Sequence, residues 1–173
     1  NKFKYEWKLI YMEIEIMKEF LHGGESLTVE FKQSKNKLNK DVFESVCAFL
    51  NRNGGHLFLG VNDAGNVVGI DDEAINKVKK EFVTSINNIQ KLNPTFYLSV
   101  EDIKVDEKTI LYIYVPESPQ VHRCNGKIYD RNEDGDMDIT DNTNQVSEMY
   151  MRKQGTYTEN RIYQIGRASC RER

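Results

Sequence analysis

Asn39-Lys40-Asp41-Val42-Phe43-Glu44-Ser45-Val46-Cys47-Ala48-Phe49-Leu50-Asn51-Arg52-Asn53-Gly54-Gly55-His56-Leu57-Phe58-Leu59-Gly60-Val61 is the stretch whose reading decides the fold. Val42, Val46, Phe49 and Leu50 fall on or near one apolar stripe at helical spacing, and Asn39 has the side chain of an N-cap. A helix is therefore expected from Asn39 to Leu50, ended by Asn53-Gly54-Gly55. His56 to Val61 follows with no polar alternation, the pattern of a strand covered on both faces. Such a strand belongs at the centre of a sheet.

Upstream, Leu27, Val29 and Phe31 alternate with Thr28 and Glu30, which predicts a strand with one buried face and Glu30 pointing away from the apolar side. Residues five apart on a continuous strand face opposite ways, so Glu25 converges with Glu30 only from outside the strand, in a turn that Gly23-Gly24 allows. Downstream, Asn62-Asp63-Ala64-Gly65-Asn66 is turn chemistry and Val67-Val68-Gly69-Ile70 resumes extended structure. Asp63 thus sits where the central strand ends.

Asp71-Asp72-Glu73 opens a second helical pattern that runs through Ile75, Val78, Phe82, Ile86 and Ile89 to about Lys91 and stops at Asn93-Pro94. Thr95 to Val100 and Lys108 to Val115 read as antiparallel strands joined through Val105-Asp106-Glu107. Val121 to Arg131 reads as a hairpin turning at Asn125-Gly126. Asp134-Gly135-Asp136-Met137-Asp138 lacks the twelve-residue spacing of a calcium loop and is expected to be a polar turn. A terminal helix is expected over Thr143 to Gln154.

Gly23-Gly24-Glu25-Ser26-Leu27-Thr28-Val29-Glu30-Phe31-Lys32 and Ala48 to Asp63 together resemble the signature of the Schlafen-type AlbA-like domain, a nucleic-acid-binding module of bacterial regulators and part of the ribonuclease core in some animal Schlafens. The resemblance covers about Met12 to Tyr163 and is strongest from Glu25 to Ile70. It implies an α+β fold in which a mixed, largely antiparallel sheet is packed by helices, with residues 121–131 among the closing strands. As function it implies a DNA- or RNA-binding module of a bacterial transcriptional regulator, with a downstream winged-helix region of relatives missing here. Nuclease members carry two glutamates and an aspartate at positions matching Glu25, Glu30 and Asp63. The alternative is thus an endoribonuclease in which these three residues hold Mg²⁺ or Mn²⁺ and act catalytically. As plain surface residues they have another reading, Glu30 solvated and Asp63 stabilising its own turn.

Charge bears on the choice. The 173 residues hold 24 basic and 27 acidic side chains, a net charge of −3. From residue 12 to 164 the imbalance is larger, 18 basic against 25 acidic. Phosphate contact needs a positive face, so here that face must be local. Lys32, Lys35, Lys37 and Lys40 supply one directly after Glu30, and Arg52 lies beyond the helix. Arg123, Lys127 and Arg131, with Tyr129 among them, supply a second set suited to phosphates and a stacked base. Against these stand a solvated loop for the lysines and a charge-guarded edge strand for the second set. The acidic balance keeps a third function open, a protein-interaction domain without nucleic-acid affinity.

Other chemistry is excluded or unsupported. Cys47, Cys124 and Cys170 give neither a disulfide framework nor a zinc spacing, which points to the reducing cytoplasm. No apolar run approaches the ~20 residues of a membrane helix, so no membrane partner is expected. His22, His56 and His122 form no triad by spacing. Gly54-Gly55 and Gly60 are not followed by the Gly-Lys-Ser/Thr of a phosphate loop, and ATP binding is not expected. Homo-oligomerisation is left open. Residues 165–173 resemble the translation of a common sequencing adapter, and residues 1–11 look like upstream sequence read in frame, with Met12 or Met17 as the start. The domain is therefore expected to span residues 12–164.

Overall fold

The computed structural model describes residues 15–155. The expectations about residues 1–11, Met12, Tyr163, residue 164, Cys170 and residues 165–173 lie outside that span.

Strand β2, Gly55–Leu59, is an inner strand of a four-stranded sheet whose order is β1 (Val29–Lys32), β2, β5 (Lys108–Val115), β4 (Glu101–Val105). β1 runs parallel to β2, and the other two neighbours pair antiparallel. The mixed α+β architecture is therefore the expected one. Both faces of β2 are covered, as its unbroken apolar run requires. Leu57 and Leu59, with Leu111, Ile113 and Val115, pack against α2 (Val42–Asn51) and α3 (Ile75–Ile86). Phe58, with Val29, Phe31 and Ile110, packs against Met17 and Leu21 of α1, residues 15–23. Two small sheets complete the core: β3 (Leu92–Asn93) with β6 (Arg123–Cys124), and β7 (Tyr129–Asn132) with β8 (Gly135–Asp138). Helix α4, residues 143–155, follows.

The passage from α2 into β2 explains its two glycines. Gly54 has φ +74°, and a Cβ there would lie 2.6 Å from the Val115 carbonyl oxygen; one on Gly55 would enter the Phe49 ring. A helix that returns this tightly onto its own strand leaves no room for side chains at the turn.

Several expectations need correction. Helix α2 begins at Val42 with Asp41 at the cap position, and Asn39 is not the N-cap. The Asn39 side-chain oxygen instead accepts from the Ser34 N–H at 3.0 Å and hydroxyl at 2.9 Å, closing the loop between β1 and α2. Helix α3 ends at Ile86, five residues short of Lys91, and Ile89 is exposed. The strand facing β5 is Glu101–Val105, not Thr95 to Val100. Asp106 and Glu107, both at positive φ, form a two-residue turn that sets this register,. Phe96, Leu98 and Val100 alternate as a strand would, but they pack into the core beside α2 and α3 without a ladder. The Asn125-Gly126 turn forms, with Cys124 bridged to Lys127, yet the flanking segments pair elsewhere: β6 with β3, and β7 with β8.

Candidate nucleic-acid interface

β1 is an edge strand, and side chains reach two of its outward backbone groups while Ser26 closes back on Val29 through the backbone. The Phe31 N–H donates to Glu25 Oε1 at 3.0 Å, which places Glu25 in the turn before the strand as its spacing from Glu30 requires. The Val29 carbonyl accepts from Arg131 Nη2 at 3.1 Å, and the same guanidinium reaches the Ser26 carbonyl at 2.8 Å. Arg131 is only 2% exposed and lies 4.8 Å from the centre of the Phe49 ring.

Val29 and Phe31 face α1, so alternation turns Glu30 and Lys32 to the opposite face, at the rim beside α2,. There Glu30 pairs with Arg131 and Lys32, each at 2.6 Å. Lys32 also meets Asp41 at 2.6 Å, and Arg131 meets Asp136 at 2.6 Å. Glu30 is thus buried rather than solvated. A cavity of about 300 Å³ opens over this network, with Glu44, Glu133 and Asp134 also on its walls.

The electrostatics follow from these contacts. Burial pushes the Glu25 carboxyl above its ordinary pKa of 4.5, and the nearby charges of Glu30 and Asp63 add to the rise, while the Phe31 N–H opposes it. For Lys32 burial acts against the charge, but Asp41 and Glu30 outweigh it and raise the pKa. Arg131 is held protonated in the same way, with Asp136 and Glu30 overcoming the cost of burial.

Glu25, Glu30 and Asp63 therefore lie close enough to feel one another, but their contacts do not fit the Mg²⁺ or Mn²⁺ of the nuclease alternative. Both Glu30 oxygens are engaged by cations, and one Glu25 oxygen is taken by the Phe31 N–H. Asp63 is exposed on its turn. Among the described residues no group of three or more His, Cys, Asp or Glu is placed to hold a metal ion. No hydrolytic step is assigned to these residues.

The basic residues expected to meet phosphate divide sharply. Lys32 and Arg131 are inside the network just described. Arg52 makes a two-pronged contact with Asp130 at 2.8 and 3.1 Å. Arg123 donates to the Gly126 carbonyl at 3.2 Å, and Lys127 pairs with Asp138 at 2.7 Å. Lys35, Lys37 and Lys40 are exposed on the loop of residues 33–40. Lys35 comes no nearer than 4.0 Å to Asp71. The loop surrounds a concavity of about 280 Å³ and is anchored by buried Leu38.

Sequence reasoning missed Asp41 and Asp136 as partners of this network. Asp136 had a readable signal: a two-residue Glu133-Asp134 turn sets Arg131 directly opposite it across the β7–β8 hairpin,.

An uncharacterized ATP-binding protein of Ureaplasma parvum serovar 3 is 30% identical over 112 residues, which is 57% of this chain and 32% of that protein. The chain thus spans about a third of the length of that curated relative. Among solved structures, the N-terminal domain of a protein described as related to the ATP-dependent DNA helicase RecG, from Nitrosomonas europaea, is 31% identical. It has a TM-score of 0.46, covering 60% of this chain and 71% of that one. The DIP2311 protein from Corynebacterium diphtheriae is 17% identical with a TM-score of 0.49, covering 65% of this chain and 25% of that one. No helix among the described residues is long and apolar enough to cross a membrane. The family described as Schlafen, AlbA_2 matches residues 25–158, and the chain belongs to that family of nucleic-acid-related domains.

Proposed function

We propose that this domain binds nucleic acid through the loop of residues 33–40, as the DNA- or RNA-contacting module of a longer regulatory protein. One observation carries the reading: Lys35, Lys37 and Lys40 stand exposed on a loop whose shape is fixed from within by Asn39, Ser34 and Leu38. A loop already held in shape loses little freedom on meeting a phosphate backbone. Lys32 and Arg131 would first have to leave buried carboxylates, which makes them braces of the fold rather than phosphate contacts. The acidic cleft beside the loop repels phosphates and so confines a bound strand to the lysine side. Lysine contacts of this kind provide affinity and position without reading sequence.

The test is binding of labelled duplex DNA, single-stranded DNA and RNA at about 50 mM salt, where phosphate contacts are strong. ATP enters as a competitor, because the Ureaplasma relative is called ATP-binding. Replacing Lys35, Lys37 and Lys40 together with Ala should weaken binding about tenfold or more without changing the melting temperature. A variant that binds like the wild type would refute the loop as the site. No binding by the wild type would favour a protein-interaction domain, and RNA cleavage abolished by EDTA would contradict a domain that only binds.

A further inference from the structure

The four-stranded sheet has two edges, and they are finished differently. On β1 the Phe31 N–H is taken by Glu25, and the Val29 groups are taken by Ser26 and Arg131. On β4, among the described residues, no strand pairs with the outer side, and Glu101, Asp102 and Lys104 are exposed.

The register says which backbone groups of β4 point outward. Val105 and Lys108 flank the two-residue turn and form its hydrogen-bonded closing pair,. Bonded and non-bonded pairs alternate along an antiparallel ladder, so Ile103 and Glu101 also bond inward to β5. Asp102 and Lys104 then direct their N–H and C=O groups away from the sheet. Thr109, which lies opposite Lys104, gives its carbonyl to the Ile70 N–H at 2.8 Å instead of to β4, as this alternation demands.

Charge on an edge normally discourages pairing. Here, however, the two residues with outward backbone groups carry opposite charges and are placed symmetrically about Ile103. We propose that two copies of this chain associate through β4, antiparallel about a two-fold axis at Ile103. Asp102 of each copy then faces Lys104 of the other in a hydrogen-bonded pair. Ile103 meets its own counterpart at the non-bonded position, where side chains approach most closely. The contact is isologous and closes on itself, joining the two sheets into one continuous sheet.

The register is specified as well. Sliding the pair by two residues in either direction sets Lys104 against Lys104 or Asp102 against Asp102. Asp102 already bonds Lys79 of α3 at 2.7 Å, so Lys104 of the second copy joins an existing pair. The inference does not involve loop 33–40 and stands apart from the nucleic-acid reading.

A five-residue edge buries less than the ~1,600 Å² of a standard interface, so the dimer is weak, with a dissociation constant of about 10–500 μM. Sedimentation velocity of the full chain from about 10 μM to about 1 mM should show a concentration-dependent shift from monomer to dimer. Lys104→Asp or Asp102→Lys alone sets like charges opposite each other and should abolish the shift, with melting curves confirming that each variant is folded. The double exchange, Asp102→Lys with Lys104→Asp, should restore it. A wild type that stays monomeric at about 1 mM overturns the proposal. So does dimerisation unaffected by either single change, or a folded double variant that remains monomeric.

Discussion

Strand β1 joins two regions built from the same residue types and put to opposite use. Along the strand, Lys32 and Arg131 are paired with Glu30, Asp41 and Asp136 at 2.6 Å. Immediately after it, Lys35, Lys37 and Lys40 face solvent. Lys32 and Lys35 are three residues apart, yet one braces the fold and the other is available to a ligand. What separates them is the pleat: Lys32 is still on the strand and is turned toward a rim crowded with carboxylates, whereas Lys35 has left it. Basic residues that are neighbours in sequence are thus not one patch.

The largest expected effect lies on the buried side. Replacing Arg131 with Ala leaves Asp136 without its cation and Glu30 with Lys32 alone, and removes a donor from the Ser26 and Val29 carbonyls, at a cost of about 3–5 kcal/mol,. Urea denaturation should show a domain close to unfolding in water. A loss under about 1 kcal/mol would show that the network is ornamental and erase the contrast with the loop.

Acid should act on the buried polar groups and spare the loop. His122 donates from Nδ1 to the Pro94 carbonyl and accepts the Ser118 hydroxyl at Nε2, each at 2.7 Å, an arrangement that suits the neutral ring. Burial holds its pKa below the ordinary 6.5; the Pro94 carbonyl resists that shift, and the nearby Lys153 charge adds to it. The unfolded chain therefore takes up the proton first. Stability from this group is complete above about pH 6.5 and declines below it, until the folded pKa is reached, by at most about 1.4 kcal/mol per pH unit. Denaturation midpoints measured from pH 7.5 to 5 should fall, and His122→Gln should flatten that fall. Equal slopes in the two proteins would exclude His122 as the cause.

Glu25 has the opposite sign. Its folded pKa is raised, so its contribution is greatest below about pH 4.5 and is lost as the pH rises through the folded value,. Glu25→Gln keeps an oxygen for the Phe31 N–H and removes repulsion from Glu30 and Asp63, so stability at pH 7 should stay within about 0.5 kcal/mol or rise. Glu25→Ala uncaps that N–H and should cost about 1 kcal/mol. Equal losses in both variants would mean that the charge, not the hydrogen bond, matters. At the loop, replacing Lys35, Lys37 and Lys40 should leave the melt unchanged to within about 0.5 kcal/mol.

The legible parts of this chain are those decided locally. Leu57, Phe58 and Leu59 in succession can be covered only from both faces, which fixed β2 as an inner strand. The five-residue spacing of Glu25 and Glu30 fixed Glu25 in the preceding turn. Long-range pairing was not legible: Arg131 meets Glu30 across a hundred residues of chain, and nothing local marks it as buried. The start of α2 was misread because Asn39 found Ser34 rather than the helix end. The strand before β5 was misplaced because Phe96, Leu98 and Val100 alternate as β4 does, and only the Asp106-Glu107 turn tells which segment pairs.

The central claim is that the exposed loop lysines, and not the cations held in close pairs, meet phosphate. It is tested most directly by the slope of log affinity against log salt concentration for the wild type, for Lys35→Ala with Lys37→Ala and Lys40→Ala, and for Lys127→Gln. Lys127 is the control because it is exposed but already paired with Asp138. The loop variant should lose roughly 2–3 units of slope, just under one unit for each phosphate contact removed, and Lys127→Gln should match the wild type. A slope unchanged in the loop variant, or reduced by Lys127→Gln, would contradict the account.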